Sequence, residues 1–256
     1  MGAFGVVIQV VKDLFEELYK LLLLNVLYLL IVGPLLGLAI AAALGGATIP
    51  ALCLLLLAAL PLGPASVGLS IVAQRIAEGR AFEIKLFFDG FRSWRTRAWK
   101  VYITWVVGLA LILVNLGFYS QMQGNLGGFL TMLFIYLMAA WFMLLIYIAP
   151  LTVLQQDGRL RLIWRNALVL SAAYPIFSLL TLLLMAAFVA ISTVLPILLL
   201  ICTPVMLALW GMRATLLLVA RDEAKRLARE GIAPEPPADD DGPFGRSPKG
   251  QVRSRK

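Results

Sequence analysis

Three long uncharged runs constrain the fold more than any other feature of this sequence. No Asp, Glu, Lys or Arg occurs in the 54 residues from 21 to 74, the 56 from 101 to 156, or the 47 from 166 to 212. A helix needs about 20 residues to cross a hydrocarbon core about 30 Å thick. Each run is therefore too long for one span and suits two spans joined by a short turn.

The composition of these runs indicates helices and not strands. They are continuously apolar and rich in Leu and Ala, whereas membrane strands alternate in segments of about ten residues. Only 14% of the 256 residues are charged, against about 25% in soluble domains. We therefore predict an all-α polytopic membrane protein with six transmembrane helices in three hairpins, near residues 22–44, 50–74, 101–120, 128–152, 168–192 and 196–218.

The positions of the basic residues predict the orientation of the chain. Every charged residue lies at the feet of the hairpins or at the chain ends, and the hairpin tips at 45–49, 120–128 and 191–196 carry none. Cytoplasmic loops hold the excess of Lys and Arg. Both termini and the loop 75–100 are therefore expected in the cytoplasm.

Four segments follow from this pattern. Residues 1–20 carry Val7, Val11 and Leu14 at helical spacing, which predicts an N-terminal amphipathic interfacial helix. Residues 21–220 form the six-helix transmembrane domain, and 221–231 extend its last helix into the cytoplasm. Residues 232–256 are polar and rich in Pro and Gly, which predicts a disordered tail.

The residue types that are missing argue against catalysis. The chain has no histidine, which removes Ser–His and His-ligated metal chemistry together. No carboxylate falls inside a predicted span, and no glycine-rich phosphate loop is present. We therefore predict no catalytic residue, no metal site and no cofactor.

A solute-binding hypothesis rests on the middle of the second span. Pro61, Gly63 and Pro64 should break or kink this helix, and broken membrane helices can expose backbone groups to a substrate. The polar residues Asn25 and Asn115 would complete such a site. The alternative is a structural kink with interhelical hydrogen bonds, and the sequence does not decide between the two.

The loop 75–100 interleaves aromatic and basic residues. On a helical wheel one side carries an aromatic stripe of Phe87, Phe91 and Trp94. The charged residues fall on the opposite side and the flank: Asp89, Arg92 and Arg95. This pattern predicts a cytoplasmic interfacial helix with its aromatic side in the lipid and its charges toward anionic lipid headgroups or a protein partner. Nucleic acid is not expected, because base stacking needs exposed aromatics.

Four stretches together resemble a known family. They are NVLYLL (25–30), LGPASVGLSIVAQRIAEGR (62–80), FFDGFRSW (87–94) and APLTVLQQDGRLRLIWRNALVLSAAYP (149–175). In this order they resemble the YesL-like family of bacterial integral membrane proteins, a domain of unknown function. The resemblance implies a bacterial inner-membrane location and an accessory role, often beside carbohydrate-uptake systems. It implies no catalytic residues.

Three functions remain open from the sequence. The first is a non-enzymatic accessory component of a carbohydrate-uptake or other transport system, whose partner is a transporter subunit or a second copy of the chain. The second is a facilitator or carrier of a small neutral solute such as a sugar. The third is a membrane enzyme acting on a lipid or envelope substrate through cytoplasmic carboxylates.

The orientation can be tested by cysteine labelling in a variant that lacks the two native cysteines. A cysteine at Gln123 should react with a membrane-impermeant thiol reagent from outside intact cells, because this position follows an uncharged hairpin tip. A cysteine at Ser93 should react only after the membrane is opened. The opposite pattern would reverse the orientation of the whole chain.

Overall fold

A computed structural model of the chain describes residues 5–8, 10, 18–155 and 157–230. Residues 5–8 and 10 are helical, and Val6 and Val10 are buried; the rest of the predicted N-terminal helix and the predicted tail 232–256 lie outside the described residues. From Leu18 onward the described chain has no strand and nine helices: α1 (Leu18–Leu44), α2 (Thr48–Ala77), α3 (Lys85–Ser93), α4 (Arg95–Ser120), α5 (Asn125–Leu154), α6 (Leu160–Ala173), α7 (Pro175–Val194), α8 (Pro196–Ile201) and α9 (Thr203–Arg229).

Six of these helices are long and apolar enough to cross a membrane: α1, α2, α4, α5, α7 and α9. The predicted all-α, six-span class is therefore confirmed, and the chain is a multi-pass integral membrane protein. The chain divides at residue 219 into two compact units. The described part of the second unit, 220–230, is helical through Arg229 and carries an ion pair of 3.2 Å between Arg226 and Glu230.

The fifth span begins later than predicted. Residues 160–173 form the separate helix α6, and α7 starts only at Pro175. Tyr174 leaves the helical region with φ −131° and ψ 59°. A proline disfavours helical backbone in the residue before it and is well accommodated in the first turn of a helix. The predicted span 168–192 thus merged the end of α6 with α7.

Buried residues concentrate at the end of the bundle that carries the charged loops. In α5 every residue from Ile146 to Thr152 is buried, whereas none from 128 to 143 is. The second half of α2 and the first half of α4 are likewise the buried halves of those helices. The opposite ends of the spans expose large apolar side chains such as Leu44, Ile49 and Phe118. The bundle therefore has a packed half and a half whose helices present apolar surface outward.

The sequence predicts a break or a kink at Pro61–Pro64, and α2 is not broken there, because it remains helical through both prolines. Pro64 has no N–H, so the carbonyl of Leu60 loses its partner within the helix. The indole Nε1 of Trp99 on α4 donates to this oxygen at 2.7 Å. Gly63 lets the two helices approach, since a Cβ there would lie 3.0 Å from the Ala98 oxygen.

A similar contact joins α9 to α5. Pro150 lies inside α5 and removes the helical partner of the Ile146 carbonyl. Gly211 of α9 lies directly against that oxygen, and a Cβ at Gly211 would come within 2.9 Å of it. In both places a proline frees a carbonyl and the neighbouring helix covers it.

Candidate functional site

Asn25, a predicted solute ligand, is fully buried and holds an interrupted helix together. Its amide Nδ2 donates to the backbone oxygens of Leu199 at 2.9 Å and Leu200 at 2.6 Å. Its Oδ1 accepts the backbone N–H of Val205 at 3.1 Å. One side chain of α1 thus bonds both the end of α8 and the start of α9.

The interruption at Cys202 explains why such a residue is needed. Cys202 leaves the helical region with φ −146°, so carbonyls before it and N–H groups after it lose helical partners. Within a bilayer no water is present to satisfy them. Thr203 adds a further bond by donating to the hydroxyl of Ser192 at 2.8 Å. Both polar atoms of the Asn25 amide are therefore hydrogen-bonded to the protein backbone.

This contact places the turn of the third hairpin deeper than the sequence predicts. Asn25 lies five residues from Lys20, about 8 Å along a helix. The Lys20 ammonium lies 5.4 Å from the ring centre of Phe82, in the segment between α2 and α3. The backbone of Leu199 and Val205 therefore packs near the charged-loop end of α1, within the packed half.

The structure does not gather the predicted solute residues into one site. The Asn115 amide donates to Leu111 of its own helix at 2.8 Å, and Gly63 and Pro64 are buried where α2 meets α4. No hydrogen bond of Asn25 or Asn115 reaches another of the five. The contacts of Asn25 and Gly63 fit the alternative, interhelical packing, whereas the bond of Asn115 stays within its own helix.

One cavity of about 460 Å³ lies elsewhere, between the uncharged ends of α4 and α5, and none of those five residues lines it. Its hydroxyl-bearing lining residues include Ser120 and Thr131. The Ser120 hydroxyl donates to the Gly117 carbonyl at 3.0 Å, and the Thr131 hydroxyl donates to the Gly127 carbonyl at 2.8 Å, each within its own helix. The cavity therefore presents few free polar groups to a solute.

Besides the bond between Thr203 and Ser192, two interhelical hydroxyl pairs occur in the described spans. Tyr28 of α1 meets Ser66 of α2 at 3.1 Å, and Tyr147 of α5 meets Ser178 of α7 at 2.6 Å. The sequence marks Tyr28 and Ser178 as polar residues in apolar spans, but it gives no sign of their partners. These pairs tie neighbouring helices together.

The aromatic side of α3 packs on protein and not in lipid. Phe87 is fully buried, and a Cβ on Gly68 of α2 would lie 2.9 Å from the Phe87 oxygen and 3.0 Å from its ring. Phe91 and Trp94 are half-buried against the same core. The expectation that Phe87 inserts into the lipid interface is therefore wrong. The glycine in α2 gives the ring a protein notch instead.

The charged side of α3 is exposed. We define the α3 surface as the exposed residues Lys85, Phe88, Asp89 and Arg92 of α3 together with Arg95, the first residue of α4. The guanidinium of Arg95 lies over the Trp99 ring at 5.1 Å. No ion pair joins Asp89 to Arg92 within the described chain. The six residues predicted for the interface thus divide into a buried aromatic set and an exposed charged set.

Arg97 is a structural residue that the sequence did not single out. Its Nη2 donates to the backbone oxygens of Gln155 at 2.8 Å and Asp157 at 2.9 Å. Its guanidinium also lies over the Trp94 ring at 5.0 Å. Arg97 therefore ties the start of α4 to the loop between α5 and α6, beside the α3 surface.

Comparisons with protein-family models, with curated proteins and with solved structures find no match to this chain. The resemblance to the YesL-like family therefore stays a prediction. Among the described residues no group of His, Cys, Asp or Glu is placed to hold a metal ion. The proposed function therefore rests on the geometry of the packed half.

Replacing Asn25 by Leu should destabilise the protein, whereas Asn115→Leu should not. The first change leaves two carbonyls and one N–H without partners, a cost of about 2 kcal/mol or a fall of about 6 °C in melting temperature. The second removes only a bond to the same helix. Thermal unfolding in mild detergent measures both. Equal melting temperatures for the two variants would contradict the role of Asn25.

Gly68→Ala should separate α3 from α2. The new methyl would overlap Phe87, at a cost of about 1–3 kcal/mol. Gly33→Ala is the matched control, since no atom lies within 4 Å of a Cβ at that helical glycine. Protease sensitivity of the 78–94 segment should rise for Gly68→Ala and stay unchanged for Gly33→Ala. Unchanged sensitivity in both variants would contradict the packing of α3.

Proposed function

We propose that this chain is a non-enzymatic accessory component of a membrane transport system, such as one for carbohydrate uptake, and that it binds its partner through the α3 surface. The observation that supports this proposal most directly is the way in which α3 is attached to the bundle. A short helix with an exposed charged side is fixed to the bundle by the fully buried Phe87 in the Gly68 notch.

A fixed helix is better suited to docking than a mobile loop. A partner that binds a preformed surface avoids the cost of ordering it. Phe88 is 39% exposed and stands beside Asp89 and Arg92. The surface thus combines an aromatic side chain with charges of both signs, a combination common in protein interfaces. The cytoplasmic side, which the basic loops favour, is where this partner would bind.

The carrier hypothesis has less support. A carrier needs polar groups free to meet its solute, and the amides of Asn25 and Asn115 are bonded within the bundle. For the enzyme hypothesis, the described carboxylates of Glu78 and Asp157 each meet an arginine, Arg80 at 3.3 Å and Arg159 at 3.9 Å, as in ordinary surface ion pairs. An accessory role needs neither a solute site nor a reacting group.

Site-specific photocrosslinking in native membranes tests the proposal. A photoreactive phenylalanine analogue at Phe88 should give one discrete adduct with a membrane transport protein, identified by mass spectrometry. The same analogue at Phe118, which is 67% exposed at the opposite end of α4, is the control for contacts with bulk membrane proteins. Asp89→Arg with Arg92→Glu should abolish the adduct while the melting temperature is retained.

Two results would contradict the proposal. One is the absence of a discrete adduct at Phe88 under conditions where the protein is folded and expressed at its native level. The other is saturable sugar flux through vesicles that contain only the purified chain, which would favour the carrier.

A further inference from the structure

The helix α6 carries a surface that the proposed function does not use. Its inner side is formed by Ile163, Ala167 and Leu170, which are buried. Its outer side begins with exposed Arg161 and Arg165, four residues apart. The same side continues with Leu168, 53% exposed, and Val169, 47% exposed.

The positive charges of this side have no ion-pair partner in the part of the chain that the structure describes. Arg161 and Arg165 make no ion pair within the described chain, and the nearby Arg159 meets Asp157 only at 3.9 Å with both side chains exposed. Leaving two arginines unpaired one turn apart costs mutual repulsion. An anion between them would remove that cost.

Contacts with α5 show where α6 packs. Trp164 stacks on Trp141 with 5.2 Å between ring centres, and the Ser171 hydroxyl donates to the sulfur of Met143 at 3.8 Å. These contacts pack α6 against the middle of α5, because Trp141 and Met143 lie 13 and 11 residues before the end of α5 at Leu154.

The basic start of α6 fits the edge of a membrane. The helix follows the end of α5, and Arg97 at the start of α4 bonds the loop before it. Arg161 thus follows directly on the loop where the charged ends of α4 and α5 meet. An exposed stripe that changes from basic to apolar along its length matches the boundary between headgroups and acyl chains.

We propose that the α6 stripe, made of Arg161, Arg165, Leu168 and Val169, binds an anionic phospholipid. The two guanidinium groups hold the headgroup phosphate, for which their planar, multidentate geometry is suited. Leu168 and Val169 lie against the acyl chains. This inference does not rest on the α3 surface or on its partner.

Lipid titration of the delipidated full-length protein tests the inference. Native mass spectrometry should count bound phosphatidylglycerol, and phosphatidylcholine serves as the neutral lipid. Each arginine near an anionic surface contributes about a fivefold gain in affinity. Arg161→Gln with Arg165→Gln should therefore weaken phosphatidylglycerol binding about 20-fold and leave phosphatidylcholine binding unchanged.

Two matched variants locate the site and separate charge from fold. Lys85→Gln with Arg92→Gln removes the same charge from the α3 surface and should weaken binding less than twofold. Arg161→Lys with Arg165→Lys keeps the charge but loses the multidentate geometry, and should weaken binding less than the Gln pair does. For the unaltered protein, raising the salt from 50 to 500 mM should weaken phosphatidylglycerol binding, since salt screens exposed charges.

Three outcomes would overturn the inference. They are equal losses from the α6 and α3 pairs, unchanged binding after removal of both α6 arginines, and equal affinity of the unaltered protein for the two lipids. Where a variant fails to fold, binding by the unaltered protein that 500 mM salt does not weaken would still contradict the inference.

Discussion

The pairing of backbone polar groups inside the bilayer is the constraint on which the rest of this structure depends. Hydrocarbon offers no hydrogen bonds, so each interruption of a helix must be repaired by another part of the protein. Asn25 repairs the gap at Cys202, and the Trp99 indole repairs the gap that Pro64 makes at Leu60. These repairs fix which helices are neighbours. They lie in the packed half, and they explain why polar residues there serve the fold.

Close contacts between neighbouring segments also distinguish the two halves of the bundle. Gly63, Gly68 and Gly211 each sit where another chain segment approaches so closely that a Cβ would lie 3.0 Å or less from a backbone oxygen. All three contacts belong to the half with the charged loops. In the opposite half, Gly37 is open, since a Cβ there would meet nothing within 4 Å, and the close contact of Gly127 with the Met122 oxygen is local to the turn before α5. The close contacts between different helices at these glycines therefore lie at the end that carries α3.

The sequence predicted the class of fold because charge and hydropathy act on whole segments. Uncharged runs of 47 to 56 residues leave little alternative to paired spans, and four of the six spans were placed closely. The fifth and sixth predicted spans each merged a short helix with the span after it, because Leu160–Ala173 and Pro196–Ile201 are apolar and only the breaks at Tyr174 and Cys202 mark the boundaries. The prolines of the second span predicted a break or a kink, and the helix continues through both. Whether a freed carbonyl breaks a helix depends on a donor such as Trp99, which is distant in sequence.

The candidate site was harder to predict for the same physical reason. A buried asparagine in an apolar span has the same sequence signature whether it binds a solute or a backbone carbonyl, and only the position of Leu199 and Leu200 decides the question for Asn25. The amphipathic pattern of α3 likewise fixed which side is buried but not what covers it. A glycine at position 68 turns an expected lipid contact into a protein contact. In α6, by contrast, the protein covers only the side with Ile163 and Ala167, so the opposite, basic side is free to meet the membrane itself.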